Sequence, residues 1–236
     1  MKSWQEELMH SAEGAHSQDA LFERIEAGAQ ALGFDRCAYG LRVPVPVSNP
    51  RTVLLNNYPS EWRARYLAAG YVRTDPTVLH GRRTQAPLVW DAQVFEGAPA
   101  LWEEARSFGL CFGWAKSNLD ANGVGGMLTL ARSSNALSQG ELAANSLQMC
   151  WLAHMAHLSL SRLIVAGLAD ETPTLTEREI EVLKWTADGK TSGEIADILA
   201  VSDNTVNFHI KNAMAKLRTA NKTAAAVRAA LLGLFN

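Results

Sequence analysis

The stretch "TEREIEVLKWTADGKTSGEIADILAVSDNTVNFHIKNAMAKLR", residues 176–218, contains two Thr-x-x-Glu sequences, Thr176 with Glu179 and Thr191 with Glu194. In such a capping box the threonine hydroxyl accepts from the third N–H of the helix while the glutamate reaches back to the threonine N–H, so each box marks a helix start. The first helix is expected over about Glu177–Ala187, burying Ile180, Leu183 and Trp185 or their neighbours, with Gly189 as its left-handed stop. The second is expected over about Ser192–Leu199. "AVSDN" (200–204) then makes a tight turn, Ser202 or Asp203 caps, and Val206, Ile210, Met214 and Leu217 recur at helical spacing in a third helix. A fourth follows over about Lys222–Leu232.

Four short helices within some 60 residues, two of them joined by a tight turn, describe a helix-turn-helix domain that binds double-stranded DNA; a generic helical bundle is the bland alternative. Thr205, Asn207 and Lys211 lie off the apolar stripe of the third helix, with His209 and Asn212 as further candidates for base edges or phosphates. Asn can pair with adenine through two hydrogen bonds, and Lys can donate to guanine or phosphate. Thr191, Ser202 and Asn204, at the helix starts, complete the candidate DNA contacts, because free N–H groups there suit an anion. Charge agrees: from Asn204 to Asn236 stand Lys211, Lys216, Arg218, Lys222 and Arg228 with no acidic residue, within a chain of formal net charge −2. A solvated helix face is the competing explanation of that run.

Just upstream, "AGLADETPTLTEREIE" (166–181) changes from an apolar helical pattern to an acidic joint containing Thr and Pro, which sets a linker at about 167–174 between domains 1–166 and 175–236. The first domain mixes helix and strand. "DALFERIEAGAQALG" (19–33) is an amphipathic helix ended by Gly33. "RCAYGLRV" (36–43) and "RTVLLNN" (51–57) are strands on either side of a loop rich in proline, and "APLVW" (86–90) follows further on. "ALWEEARSFG" (100–109) is helical; "FGWAKSNL" (112–119) is a strand that turns through "DANGVGG" (120–126) into the apolar run "MLTLARS" (127–133). A long helix closes the domain over about Gln139–Ala166. Strands with hairpins bracketed by helices imply an α+β unit whose antiparallel sheet is covered on both faces, leaving room for a cavity.

"YPSEWRARYLAAGYVRTDP" (58–76) is the chemically dense part of that domain. A helix from Pro59 puts Trp62 and Tyr66 on one face, with Tyr58 just ahead and Asp75 two turns on. Indole N–H, phenol hydroxyls and a carboxylate together suit a pocket rather than a purely apolar core. Asp75, before Pro76, is in turn or extended backbone. It is either an ordinary helix cap or an acceptor for a ligand amide N–H, with Trp62 donating to a ligand carbonyl.

At 236 residues, 47% hydrophobic and 19% charged, the chain has enough apolar material for real cores and too little charge for disorder. Cys37, Cys111 and Cys150 are odd in number and lack CxxC spacing, so they are expected to be reduced and buried. The first fourteen residues lack the apolar segment of a secretory signal, and no run of about 18 apolar residues stands out; the expectation is a cytoplasmic protein with no membrane partner. Cys150, His154 and His157 have helical spacing for a metal, but core-type neighbours argue against one, and no cofactor is expected. An Asp75–His80 acid/base pair acting on a bound ligand is the enzymatic alternative. No nucleophile elbow, phosphate loop or dinucleotide fingerprint accompanies it, and the chain is read as no enzyme.

Tyr58, Trp62, Tyr66, Asp75-Pro76 and Trp90, joined to the C-terminal stretch from Leu175, resemble the LuxR family of bacterial quorum-sensing transcription regulators over nearly the whole chain. The resemblance implies an N-terminal α-β-α sandwich that binds an N-acyl-homoserine lactone, and a four-helix DNA-binding module. Helix-turn-helix modules read palindromic sites as dimers, so a homodimer is expected, with the long helix over about Gln139–Ala166 as one surface and the last helix, "TAAAVRAALLGLF" (223–235), as a second. The resemblance also implies that Trp62 donates to the lactone carbonyl, Asp75 accepts from the acyl amide N–H and Tyr58 hydrogen-bonds the amide carbonyl. Tyr66 and Trp90 would pack the head group, Thr77 would line the pocket, and the Thr129 hydroxyl would face the amide. Gly113, Glu179, Leu183 and Gly189 match positions that such proteins keep for architecture, and likeness to long-chain receptors favours a medium to long acyl chain. Two departures stand out: Lys116 lies where many members have proline nearby, and Asn207 where some have arginine. The remaining alternative is a regulator answering to a different small molecule, or to none.

Overall fold

The computed structural model describes residues 3–14, 17–43, 51–120, 123–168 and 174–235. They divide into two units, the first drawing on residues up to Val43, Thr52–Asp120 and Val124–Leu168, the second on residues 174–235. The expected linker falls mainly on 169–173, outside the described residues, as do the proline-rich loop at 44–50 and the hairpin tip at 121–122.

Along the first unit run α1 (Trp4–Gly14), α2 (Gln18–Ala31), β1 (Arg36–Val43), β2 (Arg51–Asn56), α3 (Ser60–Ala68), a 3-10 turn (Tyr71–Arg73), α4 (Pro76–Gly81), β3 (Leu88–Trp90), α5 (Pro99–Ser107), β4 (Phe112–Leu119), β5 (Gly125–Arg132) and α6 (Gln139–Leu168). The strands form a sheet in the order β2-β1-β5-β4-β3, with β1/β5, β4/β5 and β3/β4 antiparallel. Ala38, Thr129 and Ala115 lie opposite one another across β1, β5 and β4, and so do Tyr39, Leu128 and Lys116 one residue along. Because side chains alternate, these two rows point to opposite faces of the sheet.

The Tyr39 face meets α6: the Tyr39 hydroxyl lies 2.9 Å from His157 Nδ1, and Asn118 Nδ2 donates to the Ala153 carbonyl at 3.0 Å. Leu128 and Leu130 are fully buried on this face, as are Met149, Leu152 and Leu160 of α6. On the Thr129 face, Ala115 and Ala131 pack with Trp62 of α3, Trp90, Phe95, Leu101 and Ala105 of α5, and Leu110. The layers are therefore helix, sheet, helix. Small residues on either side of Thr129 keep the middle of the second face from filling.

Gly113 sits beside Trp90 in the β3/β4 register, and a Cβ there would overlap both the Trp90 ring and the Leu130 carbonyl oxygen. Glycine is what lets the indole lie against the sheet.

Some expectations shift. Sequence patterning did not anticipate α1, and α4 is the helix that the capping alternative for Asp75 implied. The long helix continues to Leu168, past the expected domain end at 166. Its segment Gln139–Gly167 is long and apolar enough, at mean hydropathy 1.2, to cross a membrane by length and composition, but half of it is buried in the molecule, as befits a core helix. Cys37 is buried, whereas Cys111 and Cys150 are half-buried; all three are free.

The second unit comprises α7 (Glu177–Ala187), α8 (Ser192–Leu199), α9 (Asp203–Lys216) and α10 (Lys222–Leu231). Both capping boxes are present, at Thr176/Glu179 and Thr191/Glu194, and Ser202 rather than Asp203 caps α9. Gly189 has φ +86°, as expected of a left-handed stop. The α8–α9 turn instead uses Ala200 at φ +53°, which no glycine signalled. Val182, Ile195, Val206 and Ile210 bury one small core; Leu183, Ala213, Leu217, Ala225 and Ala229 bury the other, while Ile180, Trp185 and Met214 are only partly covered.

Glu179 is tied to two elements. Its carboxylate accepts from Thr176 N–H and from Lys216 Nζ, both at 2.8 Å, joining the start of α7 to the end of α9. Burial alone would raise its pKa, but the Lys216 ammonium and the Thr176 donors outweigh that and hold the carboxyl below its ordinary range.

Candidate ligand cavity and nucleic-acid interface

A cavity of ≈ 50 Å³ lies between the sheet and the α3–α5 layer. Tyr58, Trp62, Tyr66, Asp75, Thr77, Trp90 and Thr129, the seven residues singled out from sequence, all line it. Phe95, Leu101, Ala105 and Leu110 complete the wall and were missed. Leu101 and Ala105, four residues apart on α5, carried the one sequence signal that could have found them, a shared helix face.

Each polar group is set by local chain geometry. Pro59 precedes α3, whose single buried side chain is Trp62; its ring meets Tyr66 edge-on at 5.7 Å and Phe108 at 5.5 Å. Asp75 has extended backbone (φ −62°, ψ 116°) and caps α4, with Pro76 in the first turn, where the missing N–H costs nothing. Its Oδ1 accepts from Thr77 N at 2.8 Å and Thr77 Oγ1 at 2.7 Å, while Oδ2 accepts from the Tyr66 hydroxyl at 2.8 Å. Capping and cavity lining are thus both true of Asp75. A carboxylate can accept roughly four hydrogen bonds, so about one acceptor position remains on Oδ2.

Burial first, and then the Asp75 carboxylate, pushes the Tyr66 phenol far above its ordinary range. Burial also raises Tyr58, with smaller contributions from Cys37 and Asp75. Both phenols remain protonated donors at neutral pH. Trp90 Nε1 is buried without a hydrogen-bond partner among the described residues. The site therefore holds hydroxyl and indole donors opposite one oriented carboxylate, on apolar walls.

The enzymatic pair does not form. His80 Nε2 lies 2.9 Å from the Ala86 carbonyl oxygen, and Asp75 is committed to Tyr66 and Thr77. Cys150, His154 and His157 do not assemble either: His154 is exposed and His157 is buried against Tyr39. Among the described residues no group of three His, Cys, Asp or Glu side chains could hold a metal ion.

In the second unit, the candidate DNA contacts separate into two kinds. Thr191, Ser202 and Thr205 are occupied in caps: the Thr191 hydroxyl is 2.8 Å from Glu194 Oε2, and Ser202 Oγ lies 2.9 Å from Thr205 Oγ1. Asn204, Asn207 and Lys211 are exposed on the outer side of α9, and Asn212 and His209 are half-buried. Asn207 Oδ1 accepts from Ser192 Oγ at 2.9 Å, a link to α8 that sequence reasoning missed. Phe208, 61% exposed between these polar side chains, was missed as well.

Residues 17–160 match the family model of the autoinducer binding domain, and residues 173–229 that of bacterial regulatory proteins, luxR family. The chain is 46% identical to the transcriptional activator protein AnoR of Acinetobacter nosocomialis over 100% of both chains. It is 37% identical to the quorum-sensing regulator RhlR of Pseudomonas aeruginosa, over 98% of this chain and 96% of RhlR. Among solved structures, Escherichia coli SdiA superposes with TM-score 0.86 at 34% identity, covering 99% of this chain and 98% of that one. SdiA in complex with octanoyl-rac-glycerol gives 0.85 at 33%, covering 100% and 99%.

Proposed function

The chain belongs to the LuxR family of autoinducer-binding transcription regulators, and from that premise we propose that it senses an N-acyl-homoserine lactone of medium to long acyl chain and binds palindromic DNA as a homodimer in the cytoplasm. The observation that carries the ligand reading is the Asp75 carboxylate, fixed by Tyr66 and Thr77 in the same small cavity as Trp62. In this reading the ligand amide N–H donates to Asp75 Oδ2, the Trp62 indole donates to the lactone carbonyl, and the Tyr58 hydroxyl donates to the amide carbonyl. Tyr66 and Trp90 frame the ring, Thr77 steadies Asp75, and Thr129 offers its hydroxyl to the amide region from the sheet.

Pockets that bury a drug-sized ligand run to roughly 300–1,000 Å³, well above the ≈ 50 Å³ here. In this reading a lactone spreads the aromatic wall of α3 and α5 from the sheet. Binding and packing of this unit are coupled, and a ligand that binds only the folded chain stabilises it by mass action.

The dimer reading rests on α6, where Leu147 is 84% and Leu158 58% exposed; three turns apart, they fall on one side of the helix. On α9, exposed Asn204, Asn207 and Lys211 face outward for the major groove.

A second reading has a specific observation behind it. The SdiA structure that holds octanoyl-rac-glycerol shows a similar fold accepting an acyl ligand without a lactone or an amide. Glycerol hydroxyls could donate to Asp75 in the same way. Titration of the full chain with octanoyl-homoserine lactone and with octanoylglycerol, followed by tryptophan fluorescence, separates the two, since Trp62 and Trp90 line the cavity. A saturable response to the lactone, with the lactone recovered intact, supports the sensor. Recovery of a ring-opened or deacylated product contradicts it.

A further inference from the structure

Phe208 is out of place on α9. Its ring is 61% exposed, yet one helical turn in either direction brings it to Asn204, Lys211 and Asn212, which are hydrogen-bonding residues. Val206, Ile210 and Ala213 take the buried side of the helix, so Phe208 belongs to the side that looks outward. The His209 ring stands edge-on to it at 5.6 Å, at 70°, and helps fix its direction. Single exposed apolar residues are common on proteins and need no explanation by themselves. What distinguishes this one is its company, in a segment whose charged residues beyond Asp203 are all basic.

A phenyl ring can neither donate nor accept a hydrogen bond at a base edge. If the outer side of α9 enters the major groove, the ring covers some base, and covering a donor or acceptor without pairing it is costly. The major groove offers one apolar group to match it, the C5-methyl of thymine. We propose that Phe208 is a specificity-determining residue that reads a thymine methyl in each half-site, flanked by the polar contacts of Asn204, Asn207 and Lys211. This rests on the DNA-binding reading of the second unit and extends it to one base.

The test uses the full chain and duplexes enriched from a randomised pool. Each thymine of the enriched sequence is replaced singly by deoxyuracil, which removes the C5-methyl alone. For the unaltered chain, one thymine in each half-site is expected to be worth about four-fold in affinity, the contribution of one buried methyl group. In Phe208→Ala that difference should vanish, while binding to unrelated duplexes and its salt dependence stay as they were; Phe208→Leu should keep part of the difference. Equal sensitivity of the unaltered chain and Phe208→Ala to every substitution, or insensitivity of both, overturns the proposal while leaving DNA binding intact. Failure to enrich any duplex overturns the DNA-binding reading and this proposal together.

Discussion

The Tyr66 hydroxyl donates to Asp75 Oδ2 at 2.8 Å while Thr77 holds Oδ1 through both its N–H and its hydroxyl. One carboxylate therefore caps α4 and presents an acceptor to the cavity, and a single-atom change can separate the two duties. Asn is as good a cap as Asp, so Asp75→Asn should keep the α4 cap and lose stability only through the Tyr66 contact, by about 1–3 kcal/mol. Its NH2 cannot accept from a ligand N–H, and lactone affinity should fall about tenfold or more, corresponding to ~1–3 kcal/mol. Fluorescence titration beside a denaturant melt measures both quantities. Asp75→Ala should lose both, with about 1 kcal/mol of stability from the cap.

Gly113 is the floor on which Trp90 lies. In Gly113→Ala the new Cβ meets the backbone oxygen of Leu130 as well as the indole, so the strand itself must move. The expected loss is about 1–3 kcal/mol of stability, together with the lactone response, read by chemical denaturation and titration.

Glu179 carries a pH signature. Its folded-state pKa is depressed, so its contribution is fully present above the unfolded value, 4.5, and is lost as pH falls through the lower folded value. Lys216→Met should lower the melting temperature of the chain at pH 7, and the gap from the unaltered protein should close on acidification below about pH 4. A gap that stayed constant with pH would mean that Lys216 acts through packing alone.

Lys211 is exposed on α9 with no acidic residue beyond Asp203 in sequence to neutralise it. A phosphate contact there predicts that Lys211→Ala weakens binding to all duplexes about equally and reduces the slope of log affinity against log salt by about 1. Binding measured from low to moderate salt gives the slope directly.

On α6, Leu147→Glu places a charge on the exposed apolar side without disturbing the buried one. Sedimentation should show monomers, and affinity for a two-half-site duplex should fall to that for a single half-site. An unchanged dimer would move the interface elsewhere.

The second unit was the more legible because its helix starts are written in local hydrogen bonds. Thr176/Glu179 and Thr191/Glu194 satisfy the first N–H groups by themselves, and the helices begin where those pairs stand. The tight turn at 200–204 was read, but not the left-handed backbone of Ala200, which is imposed by the elements around it rather than by its own preference. In the first unit, Tyr58, Trp62, Tyr66 and Asp75 were visible as an unusual mixture of donors around one acid, and Thr77, Trp90 and Thr129 only through the family resemblance. Phe95, Leu101, Ala105 and Leu110 were not, because ordinary apolar side chains become cavity walls only when the tertiary fold turns them inward. Asp75-Pro76 left open whether a helix follows, because a cap and a cavity acceptor both suit extended backbone at Asp75, and Asp75 is both.

Mass spectrometry of the small molecule that co-purifies with the full chain, expressed in the presence of mixed acyl-homoserine lactones, tests the sensor most directly. The expected result is an intact lactone with an acyl chain of eight carbons or more, retained by the unaltered protein and missing from Asp75→Asn. A folded chain that carries no lactone from that mixture, or that retains it equally well in Asp75→Asn, would contradict the account.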